Sequence, residues 1–208
     1  VLERVFVSWG LSLADAQGIA ATLMYWTDAD DVKRRPGSAE KLDYEHLGRP
    51  GMPLNRPFRS LDEVDLAARV DELRGAKPDW KNWFTLRGSG QLDLNSAAAE
   101  VIAAATEAAL ENARRLVSAR NGPDGLPHTP DDEPLQTLEE VMALLGAFGG
   151  ANTEMLPRLT LEGQTRHVES IGTAGDARCG IALVVDMGSG EPRIAEWREF
   201  PVEGAARP

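Results

Sequence analysis

The segment Asn121-Gly-Pro-Asp124-Gly-Leu-Pro-His128-Thr-Pro-Asp131-Asp132-Glu133 gathers four carboxylates and one carboxamide, with no Lys or Arg among them. Hard oxygen donors in a Gly/Pro-constrained loop suit Ca²⁺, which takes about 6–8 oxygens and tolerates irregular geometry. Asp124 would enter from one limb, Asp131 and Asp132 from the other, while Leu126 and Thr129 would offer backbone carbonyls. Without a cation the three aspartates repel one another, so this loop is the first choice for calcium. Its spacing is not that of an EF-hand. The competing reading is a solvated turn, because Asp, Gly and Pro are ordinary turn residues. A second choice is Asp28, Asp30, Asp31 and Glu40, with Asp43 and Asn55 close by in sequence. There Lys33, Arg34 and Arg35 follow at once, so local ion pairing explains the acids equally well.

Catalytic chemistry finds no comparable support. His46, His128 and His167 stand in separate segments without metal-ligand spacing. The chain contains no Gly-x-Ser-x-Gly elbow, P-loop or Gly-x-Gly-x-x-Gly. Cys179 alternates with apolar residues and has no base near it in sequence, so it reads as a small core residue. As the only cysteine it rules out an intrachain disulfide and a cysteine-based zinc site. Trp9, Trp26, Trp80, Trp83 and Trp197 read as core or interface anchors. The expectation is a protein that is not an enzyme.

The elements that must hold these residues fall into zones. Residues 1–35 and 58–148 carry helical signals, 36–57 and 120–136 read as loops, and 164–200 as strands. Ser12, Ser60 and Thr137 each precede a carboxylate by three residues; Ser60 with Glu63 and Thr137 with Glu140 predict capping boxes. Ala16, Ile19, Leu23 and Trp26 recur at helical spacing, as do Val64, Ala67, Val70 and Leu73. The alanine-rich stretch 97–119 predicts two short helices broken near residues 105–107. Runs 165–173, 178–187 and 193–200, separated by turns at 174–176 and 188–192, predict an antiparallel meander. Its middle strand would bury Cys179, Ile181, Leu183 and Val185. The fold class is therefore α+β, with a sheet that lacks an obvious covering helix.

At 208 residues the chain can bury a core without staples. Its net charge of −11 argues against non-specific nucleic-acid or anionic-membrane binding. No apolar run approaches the roughly 18 residues that span a bilayer. Since the sequence opens on Val1, a trimmed chain whose anchor lies upstream is the expectation.

Tyr25-Trp-Thr-Asp28-Ala-Asp30-Asp31, Gly37-Ser-Ala-Glu40, Tyr44 and above all Asn55-Arg-Pro57-Phe58-Arg-Ser60-Leu61-Asp-Glu63 are similar to general secretion pathway protein K. That family is the large minor pseudopilin of type II secretion systems. Gln91-Leu-Asp93-Leu94-Asn95-Ser-Ala97 with Glu100-Val101, and the last strand with Trp197-Arg-Glu199, resemble later segments of the same family. The resemblance implies a pilin-like antiparallel sheet carrying a large inserted helical domain, with the N-terminal helix and first strand absent here. The insertion would be residues 1–160, built of helix-hairpin-helix or SAM-like units, and the C-terminal strands of the pilin-like domain residues 161–208. It further implies a structural and assembly role in export across the outer membrane, in a pseudopilus tip complex with other minor pseudopilins. The location implied is a periplasmic domain anchored in the inner membrane only by that N-terminal helix. The family is also described as binding calcium in the helical domain, although the 121–133 loop looks more like the calcium loop of major pseudopilins. Two alternatives compete: a minor pilin of a related type IV system, and a helix-hairpin-helix DNA-binding module. The second needs a glycine turn with a base beside it, and the turn at 103–109 has neither.

Overall fold

The computed structural model describes residues 1–146, 155–175, 177–188 and 190–202. The Asp176 and Ser189 positions of the two expected turns, and the end of the helical zone at 147–148, lie outside the described residues.

Chain order begins with α1 (Leu2–Ser8) and α2 (Leu13–Thr27). Ser12 opens α2 as expected: its Oγ accepts the Asp15 amide at 3.1 Å. Ala16, Ile19 and Trp26 turn inward and are buried. Phe58 stacks on Trp26 at 5.3 Å, and Tyr44 meets its edge at 6.0 Å. Tyr44 comes from α3 (Lys41–His46), a helix inside the stretch expected to be loop. Its start is a capping box formed by Glu40 and Asp43, with a glutamate where Ser or Thr is the usual signal. Of the two boxes expected elsewhere, only the hydroxyl half forms. Ser60 accepts from the Glu63 amide and Thr137 from the Glu140 amide. The glutamates reach one residue further back, Glu63 to the Arg59 amide and Glu140 to the Gln136 amide.

Val64, Ala67, Val70 and Leu73 are all buried, but not on one helix. α4 (Leu61–Val64) and α5 (Val70–Ala76) are divided by Arg69 at φ +68°. The guanidinium of Arg69 offsets that left-handed strain. It donates to Asp15 at 2.7 Å, to Glu72 at 2.6 Å and to the Gly37 carbonyl at 2.7 Å. A 3₁₀ turn at Trp80–Trp83 closes this unit, and Trp80 joins Phe6, Ile19, Trp26, Tyr44 and Leu73 in its core.

A second core gathers Leu94, which directly follows the first of five elements, with Ile102, Leu116, Val141 and Leu159 from the other four. The five are β1 (Leu92–Asp93), α6 (Ala99–Thr106), α7 (Leu110–Arg120), α8 (Leu138–Leu145) and β2 (Leu159–Thr160), with β1 and β2 parallel. The break between α6 and α7 falls at Glu107, φ +58°. Ala104 of α6 belongs to the first core, so the two helical groups are continuous.

The chain ends in β3 (Thr165–Ala174), β4 (Ala177–Asp186) and β5 (Arg193–Pro201), an antiparallel sheet in the order β3-β4-β5. The face expected to be buried is the open one. Cys179 is exposed and Leu183 half-buried, flanked in register by Val168 and Trp197, which are 45% and 56% exposed. Gly180 and Ala182, on the opposite face, are the buried residues of β4. A Cβ on Gly180 would lie 2.4 Å from the Phe200 ring, so that ring covers it. Alternation located the two faces, but the covering of the less apolar one depends on this cross-strand ring.

Candidate metal centre

The 121–133 loop satisfies its acids from within. Asp124 accepts the Leu126 amide at 2.7 Å, Asp131 the Asp124 amide at 3.1 Å, and Asp132 the His128 amide at 2.8 Å. The Thr129 hydroxyl is shared among Asp131, Asp132 and the Leu126 carbonyl, at 2.8, 3.2 and 3.2 Å. The Thr129 hydrogen bond, then the Asp124 amide, hold the Asp131 carboxyl below its ordinary pKa. Gly122 lets the two limbs close: its φ is +66°, and a Cβ there would sit 2.2 Å from the Asp131 carbonyl oxygen. A cation also borders the loop. Arg120 is 6% exposed, its guanidinium bonds the Leu94 carbonyl, and its charge acts on Asp93 and Asp132. Asp124, Asp131, Asp132, Leu126 and Thr129 are thus gathered together, and each aspartate accepts at least one hydrogen bond from within the loop.

The 28–40 cluster is different. Three of its acids find the local bases: Arg34 reaches Asp30 at 2.5 Å, Lys41 reaches Asp31 at 3.0 Å, and Lys33 grips Asp43 at 2.9 and 3.1 Å. Arg34 also pairs with Asp28 Oδ2, at 3.6 Å, and of the cluster's acids only Glu40 has no ion pair of this kind among the described residues. Asp28 Oδ1 and Glu40 Oε1 are buried with no hydrogen-bond partner, as is Asn55 Oδ1. Glu40 is 2% exposed. Burial, and then the negative charges of Asp28, Asp31 and Asp30, push its carboxyl above the ordinary range. Asn55 belongs to the same neighbourhood, since its amide donates to Asp31 at 2.9 Å. The only other orphaned side-chain atoms among the described residues are the indole N–H groups of Trp9 and Trp26, which cannot ligate a cation.

A buried acceptor left unpaired costs about 1–3 kcal/mol, and more when charged. Two carboxylate oxygens and a carboxamide oxygen are in that condition, and oxygens are the donors hard divalent cations take. Among the described residues no three His, Cys, Asp or Glu side chains converge into a complete metal site. A cation here would therefore use Asn55 and further oxygens. Asn55 stood beside the sequence candidates as a neighbour only; its position before Pro57 and its φ of +47° carried no ligand signal.

The rest of the molecule presents no catalytic arrangement among its described residues. His46 lies on α3, while His128 of the acidic loop and His167 of β3 border one cleft. No helix among the described residues is long and apolar enough to cross a membrane.

Comparison with known proteins agrees with the resemblance read from sequence. Residues 1–77 match the family model of type II secretion system protein K. The fold is similar to GspK in the crystal structure of the GspK-GspI-GspJ complex from the enterotoxigenic Escherichia coli type 2 secretion system. That match has a TM-score of 0.71 at 15% identity and covers 97% of this chain and 69% of that one. No curated protein matches in sequence.

Proposed function

We propose that the chain is the helical and C-terminal part of a minor pseudopilin of the protein K kind, working by assembly and not by catalysis. The observation that carries the reading is the coincidence of two independent matches on the same family. The sequence match covers residues 1–77, and the fold match runs through both helical cores and the sheet. On this reading residues 1–160 are the inserted helical domain and 161–208 the pilin-like strands. The open face of β3, β4 and β5 would receive the long N-terminal helix of the pilin fold. The place of action is the periplasmic side of the inner membrane, at the pseudopilus tip. GspK in the matched structure is complexed with GspI and GspJ, and the corresponding partners here would be the other two minor pseudopilins of the same organism. Purified chain mixed with those two proteins should give a ternary complex by light scattering. Three independent species at micromolar concentration would refute the reading.

Calcium belongs to the same proposal, with the order of the two sites reversed. The ligands supported best are Asp28, Glu40 and Asn55, because theirs are the oxygens that lack partners. Bound there, the cation supplies positive charge that ties the end of α2 to the start of α3 and to the loop before α4. Its role would be structural. The loop at 121–133 is the weaker choice.

A further inference from the structure

We infer that the sheet of β3, β4 and β5 is carried on a joint at residues 162–163, and that two ion pairs, one exposed and one with a largely buried carboxylate, latch it against the helical body. The helical side of the joint is anchored. Leu159 is buried in the second core, and the Leu161 carbonyl accepts the Asn95 amide at 3.0 Å. The sheet side begins at Gln164, whose carbonyl accepts the Met187 amide at 2.7 Å, and Thr165 then pairs with Asp186 of β4. Among the described residues no helix packs broadly on any strand of the sheet. A cleft of about 1460 Å³ separates the sheet from the helical body, reaching from Arg87 and Asp93 to Val184 and Glu196.

Two ion pairs cross that cleft. Arg87 meets Glu196 at 3.1 Å, with side chains 47% and 37% exposed, and Arg166, 56% exposed, lies 3.7 Å from the 12% exposed side chain of Asp93. The exposed Arg87–Glu196 pair contributes little, the Arg166–Asp93 pair is long, and units joined by few contacts move relative to one another by default. The pivot itself is close-packed. A Cβ on Gly163 would fall 2.4 Å from Asp93 Oδ2, the carboxylate that Arg166 uses. Rotation about residue 163 and release of the Arg166 latch are thereby coupled. The joint does not depend on the assembly reading, since it follows from this chain's own contacts.

The test uses the native Cys179, exposed on β4, as one spin-label site and Glu111→Cys on the exposed face of α7 as the other. Distances are measured on the full chain at about 0.1 M and about 1 M salt, between which the screening length falls from about 10 Å to about 3 Å. A second distance population that grows several-fold with salt, and appears already at low salt in Arg87→Ala, supports the joint and its latch. Glu196→Gln repeats that test with a smaller change, in case Arg87→Ala perturbs its loop. Gly163→Ala should shift the distribution even at low salt. A single distance unmoved by salt and by all three substitutions overturns the proposal. A broad distribution indifferent to salt overturns the latch.

Discussion

Glu40 does two jobs with one carboxylate: Oε2 caps α3 through the Lys41 amide at 3.1 Å, while Oε1 has no partner. That division predicts how calcium should act. At a free concentration near 100 times its dissociation constant, a cation bound only by the folded chain adds about 2.7 kcal/mol of stability. Thermal melts with calcium and with chelator should differ accordingly. Asp28→Asn and Glu40→Gln should each erase the difference, whereas Asp131→Asn should leave most of it. The opposite pattern would return the site to the 121–133 loop, and identical melts of the parent chain would remove calcium altogether. Sequence could locate both acidic clusters but could not rank them. Ranking needs to know which oxygens are already bonded, and the loop's amides, Thr129 and Arg120 become partners only once the chain turns. A second carboxylate gives a pH test away from these clusters. Burial raises the Asp65 pKa, but hydrogen bonds from Lys81 at 2.5 Å and Arg74 at 2.9 Å outweigh it, and the net shift is downward. A depressed carboxylate stabilises the fold above its unfolded pKa and loses that contribution as pH falls through the folded value. Asp65→Asn should therefore cost about 1 kcal/mol at neutral pH, and the gap should close in acid. A gap that is constant with pH would count against the ion pairs.

Helix α2 and the sheet mark the two extremes of burial in this chain. Trp26 is fully buried between Phe58 and Tyr44, so Trp26→Ala should cost about 3–5 kcal/mol. Trp197 on β5 is 56% exposed, and Trp197→Ser should change the melt of the isolated chain by less than about 1 kcal/mol, since little apolar area is removed from water there. A large loss at Trp197 would mean that the face is covered in solution. A three-stranded sheet without a partner layer is marginal, so β3 and β5 amides should exchange with solvent well before those of α2. Equal protection would show a sheet complete in itself. Helix starts at Ser12, Ser60 and Thr137 were legible because a hydroxyl cap is a local event. The break at Arg69 was not, because residues from α2, α5 and the loop at Gly37 hold its left-handed backbone. The start of α3 was missed for a related reason: glutamate seldom caps, and here it does so while buried. On β4 the alternation was read correctly and the buried side wrongly, since apolar content predicts which face should be covered, and only the neighbouring layers decide which one is.

Across the whole chain, the order of helices followed by a meander was readable because periodicity changes from 3.6 to 2 near residue 160, and each period is a local property. The arrangement of the pieces was not, because it rests on a few long-range ties: Ala104 in the first core, Leu159 in the second, and Arg87 to Glu196 across the cleft. Charge is the one global property that composition fixes outright, and it bears on the rival reading as a DNA-binding hairpin. The turn between α6 and α7 that would face phosphate carries Glu107 in the left-handed position, and Arg4 neutralises that carboxylate at 2.6 Å from α1. That arginine is thus already engaged, and the turn itself offers a phosphate no base. With a net charge of −11, there is no counterion-release gain to draw duplex DNA to the surface. A labelled duplex titrated with the chain at low salt should show no change in anisotropy into the high micromolar range. Micromolar binding that weakens steeply as salt rises would be the signature of released counterions. It would point to the exposed Arg114 and Arg115 of α7 as the contact, and the hairpin reading would then replace assembly as the function.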